Sequence, residues 1–336
     1  MKRATRILAA LLCVLLLLPT LALAESAPSL KKQIAQSAEG MSALGGKKGE
    51  LLKDRELFPA GDSVCDWLAI AMALSGTRES YSDYLAELKA HVEDAYAKNG
   101  CLDRNKATEY HRISLTVLAL GGNPTNFGTK PDGSAIDLIA EGTYNYARDP
   151  GAQGLNGWIW ALLTLDAGDT EVPADALYSR EDMVNAISVA QEPDGGFGLV
   201  SGASDTDITA MALQALAKYR DRQDVADAVE RGLTVLSQQQ EENGGFVAYE
   251  SESSESIAQV IVALTELGVS LTDSRFVKGG NTLVSRLLEF RTENGAFRHI
   301  LDGEEDVMAT EQGFYALVAV SRAEQGKSTL YTMTEA

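Results

Sequence analysis

The chain runs to 336 residues, 45% of them hydrophobic, which is enough for one large domain or two ordinary ones. Its formal net charge of −19 argues against nucleic acid and anionic membrane surfaces as partners, and fits a soluble protein or one that draws in cations. The histidines His91, His111 and His299 are scattered and no cysteine has a partner at ligand spacing, so no metal set is expected.

Residues 1–24 have the grammar of a secretory signal. Lys2, Arg3 and Arg6 open it, residues 7–18 are apolar around Cys13 and small residues, and Ala22-Leu23-Ala24 supplies a small-x-small cleavage site. An uncleaved anchor is the alternative, but the apolar run is short for a span. Cleavage near Ala24 removes three positive charges and no negative ones, taking the net charge from −19 to −22. The product is expected to be secreted or held at the cell surface, with no membrane span. Residues 25–323 should form one domain and 324–336 a flexible polar tail. Cys65 and Cys101 survive maturation, and an oxidising compartment allows either a disulfide between them or two free thiols.

Apolar residues then recur at helical spacing almost throughout, with strand-like alternation scarce. Helices are predicted over 30–53, 63–74, 81–98, 108–120, 135–146 and 156–165. Six more follow over 180–191, 205–219, 225–239, 254–267, 281–290 and 309–323. Every second helix opens in one register: Cys65-Asp66-Trp67, Thr108-Glu109-Tyr110, Leu155-Asn156-Gly157, Thr206-Asp207-Ile208, Ser254-Glu255-Ser256 and Thr310-Glu311-Gln312. An acid holds the second place in all but the third, where Asn156 stands. The other helices share an exit. Gln191-Glu192-Pro193-Asp194-Gly195-Gly196-Phe197 matches Gln240-Glu241-Glu242-Asn243-Gly244-Gly245-Phe246 and Arg291-Thr292-Glu293-Asn294-Gly295-Ala296-Phe297. Asn or Asp with Gly stops a helix in left-handed dihedrals, and the aromatic pins the turn.

Two helix types alternating six times fit an all-α, α6/α6 toroid, a closed ring of six helical hairpins with an inner and an outer set. The inner set should be the Ala-rich helices such as Ala210-Met211-Ala212-Leu213-Gln214-Ala215-Leu216, whose small residues permit close approach on both flanks. An open superhelical array is the alternative.

At this point the chain resembles the terpenoid cyclase and protein prenyltransferase superfamily of α/α toroids. The Gln-x-x-Asp/Asn-Gly-Gly-Phe exits look like degenerate forms of that family's repeat, and Asp205-Thr206-Asp207-Ile208-Thr209-Ala210 looks like the cyclase motif Asp-x-Asp-Asp-Thr-Ala. The resemblance also takes in exported bacterial toroids and the cobalamin carriers of the transcobalamin and intrinsic-factor type. If it carried over to catalysis, Asp207 would be the general acid and Asp205 its neighbour, but Ile208 replaces the third acid. Aromatics at 7% are sparse for stabilising carbocations, and no Asp, Cys and His zinc set of the prenyltransferase kind can be assembled.

An acid in the first turn of a helix also has a plain structural role, complementing the dipole and free N–H groups. In a ring of parallel inner helices these first turns gather at one mouth. Asp66, Glu109, Asn156, Asp207, Glu255 and Glu311 would ring it, with Trp67, Trp158, His111, Arg112, Asp205, Gln259 and Gln312 beside them. Such a concave site suits a small-molecule ligand. The expected function is therefore non-catalytic small-molecule binding, with no certain cofactor and a corrinoid as the ligand that the resemblance to the carriers implies. An enzyme using Asp207 as general acid is one alternative, and a protein-interaction module of the cell envelope is another.

Overall fold

The computed structural model describes residues 29–44, 51–248 and 251–334. The expected signal, residues 1–24, lies outside them. Among the described residues there are twelve α-helices: α1 (Leu30–Leu44), α2 (Ser63–Ser75), α3 (Tyr81–Asn99), α4 (Ala107–Ala119), α5 (Leu138–Gly142) and α6 (Asn156–Ala167). The second half holds α7 (Arg180–Val189), α8 (Thr206–Leu216), α9 (Gln223–Gln239), α10 (Ser254–Glu266), α11 (Leu283–Glu289) and α12 (Val307–Glu324). None is long and apolar enough to cross a membrane. The predicted helix 135–146 shrinks to α5, because the backbone turns at Thr143 and Gly142 is pressed against Tyr110. Of the predicted 30–53 helix, the described residues form α1 over Leu30–Leu44 and a 3-10 turn at Leu51–Lys53; residues 45–50 lie outside them.

The inner helices α2, α4, α6, α8, α10 and α12 pack side by side in chain order, and α12 returns to pack on α2. That last contact closes the ring and rules out the open array. Outer helices α5, α7, α9 and α11 each back the inner helix before them, while α1 backs α12. The two ends of the chain thus share one hairpin position. The approach there is close: a Cβ on Gly295, in the turn after α11, would lie 1.9 Å from the Gln36 carbonyl of α1.

The exit turns explain their own grammar. Gln191 Nε2 donates to the Gly195 carbonyl at 2.8 Å and to the Ala228 carbonyl of the next outer helix at 2.7 Å. Gln240 repeats this with Gly244 at 2.9 Å and Phe276 at 3.2 Å. Gly195 and Gly244 take φ of 98° and 93°, a region that favours glycine. Phe197, Phe246 and Phe297 then plug the core between the layers. The Phe197 and Phe297 amides donate to the hydroxyls of Thr209 and Thr310, four residues into their caps' helices. Short hairpins fill two of the exits, β1 (Val247–Ala248) with β2 (Ser251–Glu252) and β3 (Phe297–Arg298) with β4 (Glu305–Asp306).

The inner helices run in one direction, because their last turns meet. Arg322 of α12 donates to the Leu74 carbonyl of α2 at 3.1 Å, and Lys218 after α8 donates to the Asp166 carbonyl of α6 at 2.8 Å. The tail corrects an expectation here. Residues 324–336 were expected to be loose, yet Arg322 folds the chain back through Ser328, and Leu330, Tyr331 and Met333 are buried. The Met333 amide donates to the Ala167 carbonyl at 2.9 Å and the Tyr331 amide to Glu266 at 3.2 Å. The buried Leu330, Tyr331 and Met333 outweigh the polar residues around them, and the segment closes the ring at the C-terminal ends of the inner helices.

Candidate functional site

With one end closed by the tail, the axis of the ring holds a cavity of about 200 Å³. Its lining comes from five inner helices: Trp67 of α2, Trp160 of α6, Met211 of α8, Gln259 of α10, and Glu311, Gln312 and Tyr315 of α12. Trp67 lies 4.9 Å from Trp160 at 51° and 6.3 Å from Tyr315 at 65°, measured between ring centroids. Below them Tyr331 of the tail meets Trp160 edge-on at 5.8 Å and shares a hydrogen bond with the Tyr315 hydroxyl. On the polar side Gln214 Nε2 donates to Gln259 Oε1 at 3.1 Å, and Gln259 Nε2 donates to Gln312 Oε1 at 3.1 Å. These amides chain three helices together along the cavity wall. Gln214 Oε1 is buried and has no hydrogen-bond partner among the described residues.

Glu311 is the carboxyl of this cavity. Burial pushes it well above the ordinary glutamate range, and the nearby Glu255 adds to that. Among the described residues no hydrogen-bond donor or cation meets its carboxyl. Nearer the mouth, Glu255 accepts from Ser253 and Ser254 hydroxyls at 3.0 and 3.1 Å and pairs with His299 Nδ1 at 2.9 Å. Asp207 beside them is raised to about 6, first by burial and then by the charges of Asp205 and Glu255. Its Oδ1 and the neighbouring Ser256 hydroxyl are both buried, and that hydroxyl, facing the carboxyl, offsets part of the rise.

The predicted ring of first-turn acids therefore divides. Asp207, Glu255 and Glu311 come together, and Trp67, Gln259 and Gln312 line the cavity with Glu311. Asp66 does not join them. It is fully buried and accepts from the Gly61 amide at 3.0 Å, the Tyr84 hydroxyl at 2.7 Å and Arg112 Nε at 2.9 Å. Arg112 is spent on Asp66, Glu109 and the Gly61 carbonyl, so this trio is a brace between α2, α3 and α4. His111 is buried with Nε2 at 2.6 Å from the Gly142 carbonyl, and burial pushes it down to about 4, so the ring is neutral and Nε2 donates. Trp158 packs edge-on against Tyr178 at 5.2 Å, away from the lining, and Asn156 Oδ1 beside it is buried without a partner. Asp205 is the N-cap of α8, accepting from the Ile208 amide at 2.8 Å.

Cys65 and Cys101 are free. Cys65 sits in the first turn of α2 against Asp62, while Cys101 bonds the Asn99 carbonyl past the end of α3 and lies near Tyr110 and Tyr146. The disulfide alternative is not what the structure holds.

Trp160, Tyr315 and His299 were not singled out by sequence. A signal existed for two of them: Tyr315 follows Glu311 by four and so shares its helical face, and Trp160 lies five residues past the α6 cap, as Trp67 lies five past Asp62. Away from the axis, an open depression of about 790 Å³ lies between the loop 199–206 and the end of α9, rimmed by the exposed Leu199, Val200 and Val247.

No protein-family model matches the sequence, and no curated protein matches it either. Solved structures do match. Type II terpene cyclase MstE from Scytonema aligns with a TM-score of 0.56 at 14% identity, over 88% of this chain and 99% of that one. Unsaturated glucuronyl hydrolase from Bacillus sp. GL1 aligns at 0.59 and 13%, over 90% and 99%. Candida albicans protein geranylgeranyltransferase-I aligns at 0.54 and 11%, over 88% and 92%. At these identities the likeness is one of fold, the α/α toroid.

Proposed function

We propose that this protein is an exported toroid that binds a small molecule without transforming it. The ligand sits on the ring axis, entering from the mouth at the inner-helix N-termini. The observation that carries this reading is the cavity itself: closed beneath by the tail, walled by Trp67, Trp160 and Tyr315, and offering amides and one carboxyl from α10 and α12. Apolar walls with a few convergent polar groups are the usual make-up of a ligand site. A corrinoid is the ligand class implied by the resemblance to cobalamin carriers. Pockets for drug-sized ligands run from roughly 300 to 1,000 Å³, so with about 200 Å³ available a corrinoid would rest on the mouth and insert only a substituent. Thermal unfolding of the mature chain with cobalamins, polyprenyl compounds and small polar fragments tests the reading. A ligand at a hundred times its Kd should add about 2.7 kcal/mol of stability. No shift with any corrinoid removes that class, and no shift with any compound removes the binding function.

One observation favours a second reading, acid catalysis at the mouth. Asp207 is half-buried and raised to about 6, so it keeps a proton into the range where a general acid operates. The neighbours in fold named above include a terpene cyclase and a glucuronyl hydrolase. Product formed from a polyprenyl or unsaturated uronic substrate, detected by mass spectrometry and lost in Asp207→Asn, would establish it.

A further inference from the structure

We infer that the ligand class of the axial cavity is an organic ammonium cation, held by Glu311 inside a cage of Trp67, Trp160 and Tyr315. The inference rests on the reading that this cavity is the binding site. Three features point to it together. First, the rings are steeply inclined to one another, at 51° and 65°, and line one space. Tilted rings at these separations pack against one another and together wall the space, and an aromatic wall attracts a cation through the negative faces of its π-systems.

Second, Glu311 is only 4% exposed and lines the cavity, yet its charged neighbour is another carboxylate, Glu255, and no counter-cation from the described residues reaches it. A carboxyl buried without a partner is costly and is kept where something else supplies the partner. Arg112 of α4 is committed to Asp66 and Glu109, and Arg322 of α12 lies at the opposite end of its helix, on Ser328 and the Leu74 carbonyl. His299 is committed to Glu255. The approach from the mouth is acidic too, past Asp205, Asp207 and Glu255, in a chain of net charge −19. Such a path raises the local concentration of cations and repels anions.

Third, size and softness exclude a metal ion. Among the described residues no group of three His, Cys, Asp or Glu side chains could hold one. Aromatic faces and a single carboxyl do not replace the hydration shell of a hard cation. An alkylated ammonium carries its charge on an apolar surface, which fits these walls. The cavity, about 200 Å³, somewhat exceeds the roughly 150 Å³ that accepts a benzene ring and so admits a headgroup of that order.

The test uses the mature chain, with calorimetry and the fluorescence of its three tryptophans, two of which line the cavity. Tetramethylammonium, choline and 3,3-dimethylbutan-1-ol, the neutral carbon analogue of choline, are titrated in turn. Choline should bind at least about tenfold more tightly than its analogue. Glu311→Gln and Trp160→Leu should each weaken choline by about tenfold, while Val200→Ser on the distant exposed loop leaves it unchanged. Glu311→Gln should leave binding of the neutral analogue as it was, which a merely unfolded variant would not do. Equal affinity for choline and the analogue overturns the ammonium class but upholds the cavity as a binding site. Failure of every probe, together with a silent wider ligand panel, overturns both.

Discussion

Replacing Asp66 with alanine decides whether this residue braces the ring or serves a ligand. Its carboxylate is fully buried and accepts three hydrogen bonds, from Gly61, Tyr84 and Arg112. The alanine leaves the Arg112 guanidinium, itself 6% exposed, with Glu109 as its sole remaining anionic partner. Removing one member of a buried ion pair costs about 3–5 kcal/mol, because the other charge is stranded. In a domain of this size each kcal/mol moves the melting temperature by about 2 °C, so a fall of roughly 6–10 °C is expected. Scanning calorimetry at pH 7 measures it. Replacing both partners, as Asp66→Leu with Arg112→Met, should recover part of the loss, since no unpaired charge then remains. A fall below about 1 kcal/mol, combined with a lost ligand response, would refute the brace and return Asp66 to the site.

Three further outcomes are expected. Burial lifts Glu266 from 4.5 to about 7, so between those values the folded state holds a proton that the unfolded chain has released. Stability from this group is complete below pH 4.5 and is lost as pH rises through about 7, a swing of roughly 3 kcal/mol. Glu266→Gln should flatten that part of the pH–stability curve, and an unchanged slope would count against it. Asp205→Ala and Asp306→Ala should each cost about 1 kcal/mol, since each aspartate caps its helix through an amide three residues on, both at 2.8 Å; chemical denaturation would expose any inequality. With a thiol reagent Cys101 should react in the native protein and Cys65 only after unfolding, because Cys65 is buried and its thiol is pushed up by desolvation and Asp62.

The ring is legible in the chain because its parts repeat. The Gln, Gly and Phe of each exit do one geometric task, and the chain repeats those residues wherever the task recurs. Closure is less legible, since the contact of α12 with α2 depends on curvature accumulated over six hairpins and on no single residue. The site is readable only in part, and the reason is helical periodicity. Asp207 and Glu255 lie two residues past their caps, Asp205 and Ser253. Glu311 lies five past its cap, Asp306, so Met308 is the true counterpart of Asp207. A shift of three residues keeps nearly the same face and drops one turn deeper. Aligning the acids by type therefore places Glu311 at the rim, when it lines the interior. The same alignment makes Asp205 look unmatched, although Asp306 caps α12 in the same way. Asp66, four past its cap, drops into the packing between helices for the same reason. The tail escapes sequence reading because Leu330, Tyr331 and Met333 are too few to show a period, and what orders them is a pocket made by other helices.

The seating of α1 behind α12 also bears on how the chain is made. An open solenoid can nucleate anywhere and grow, each unit secured by the one before it. Here the first described helix has its partner in the last, and the seam joins residues as far apart as Leu74 and Arg322. During synthesis the N-terminal half must wait with an apolar flank uncovered until the final helix emerges, and it is then that the chain is most prone to pair with the wrong surface. Duplicating or deleting one hairpin, which a linear array tolerates, would leave this seam without a match. The unit that persists is the whole circle.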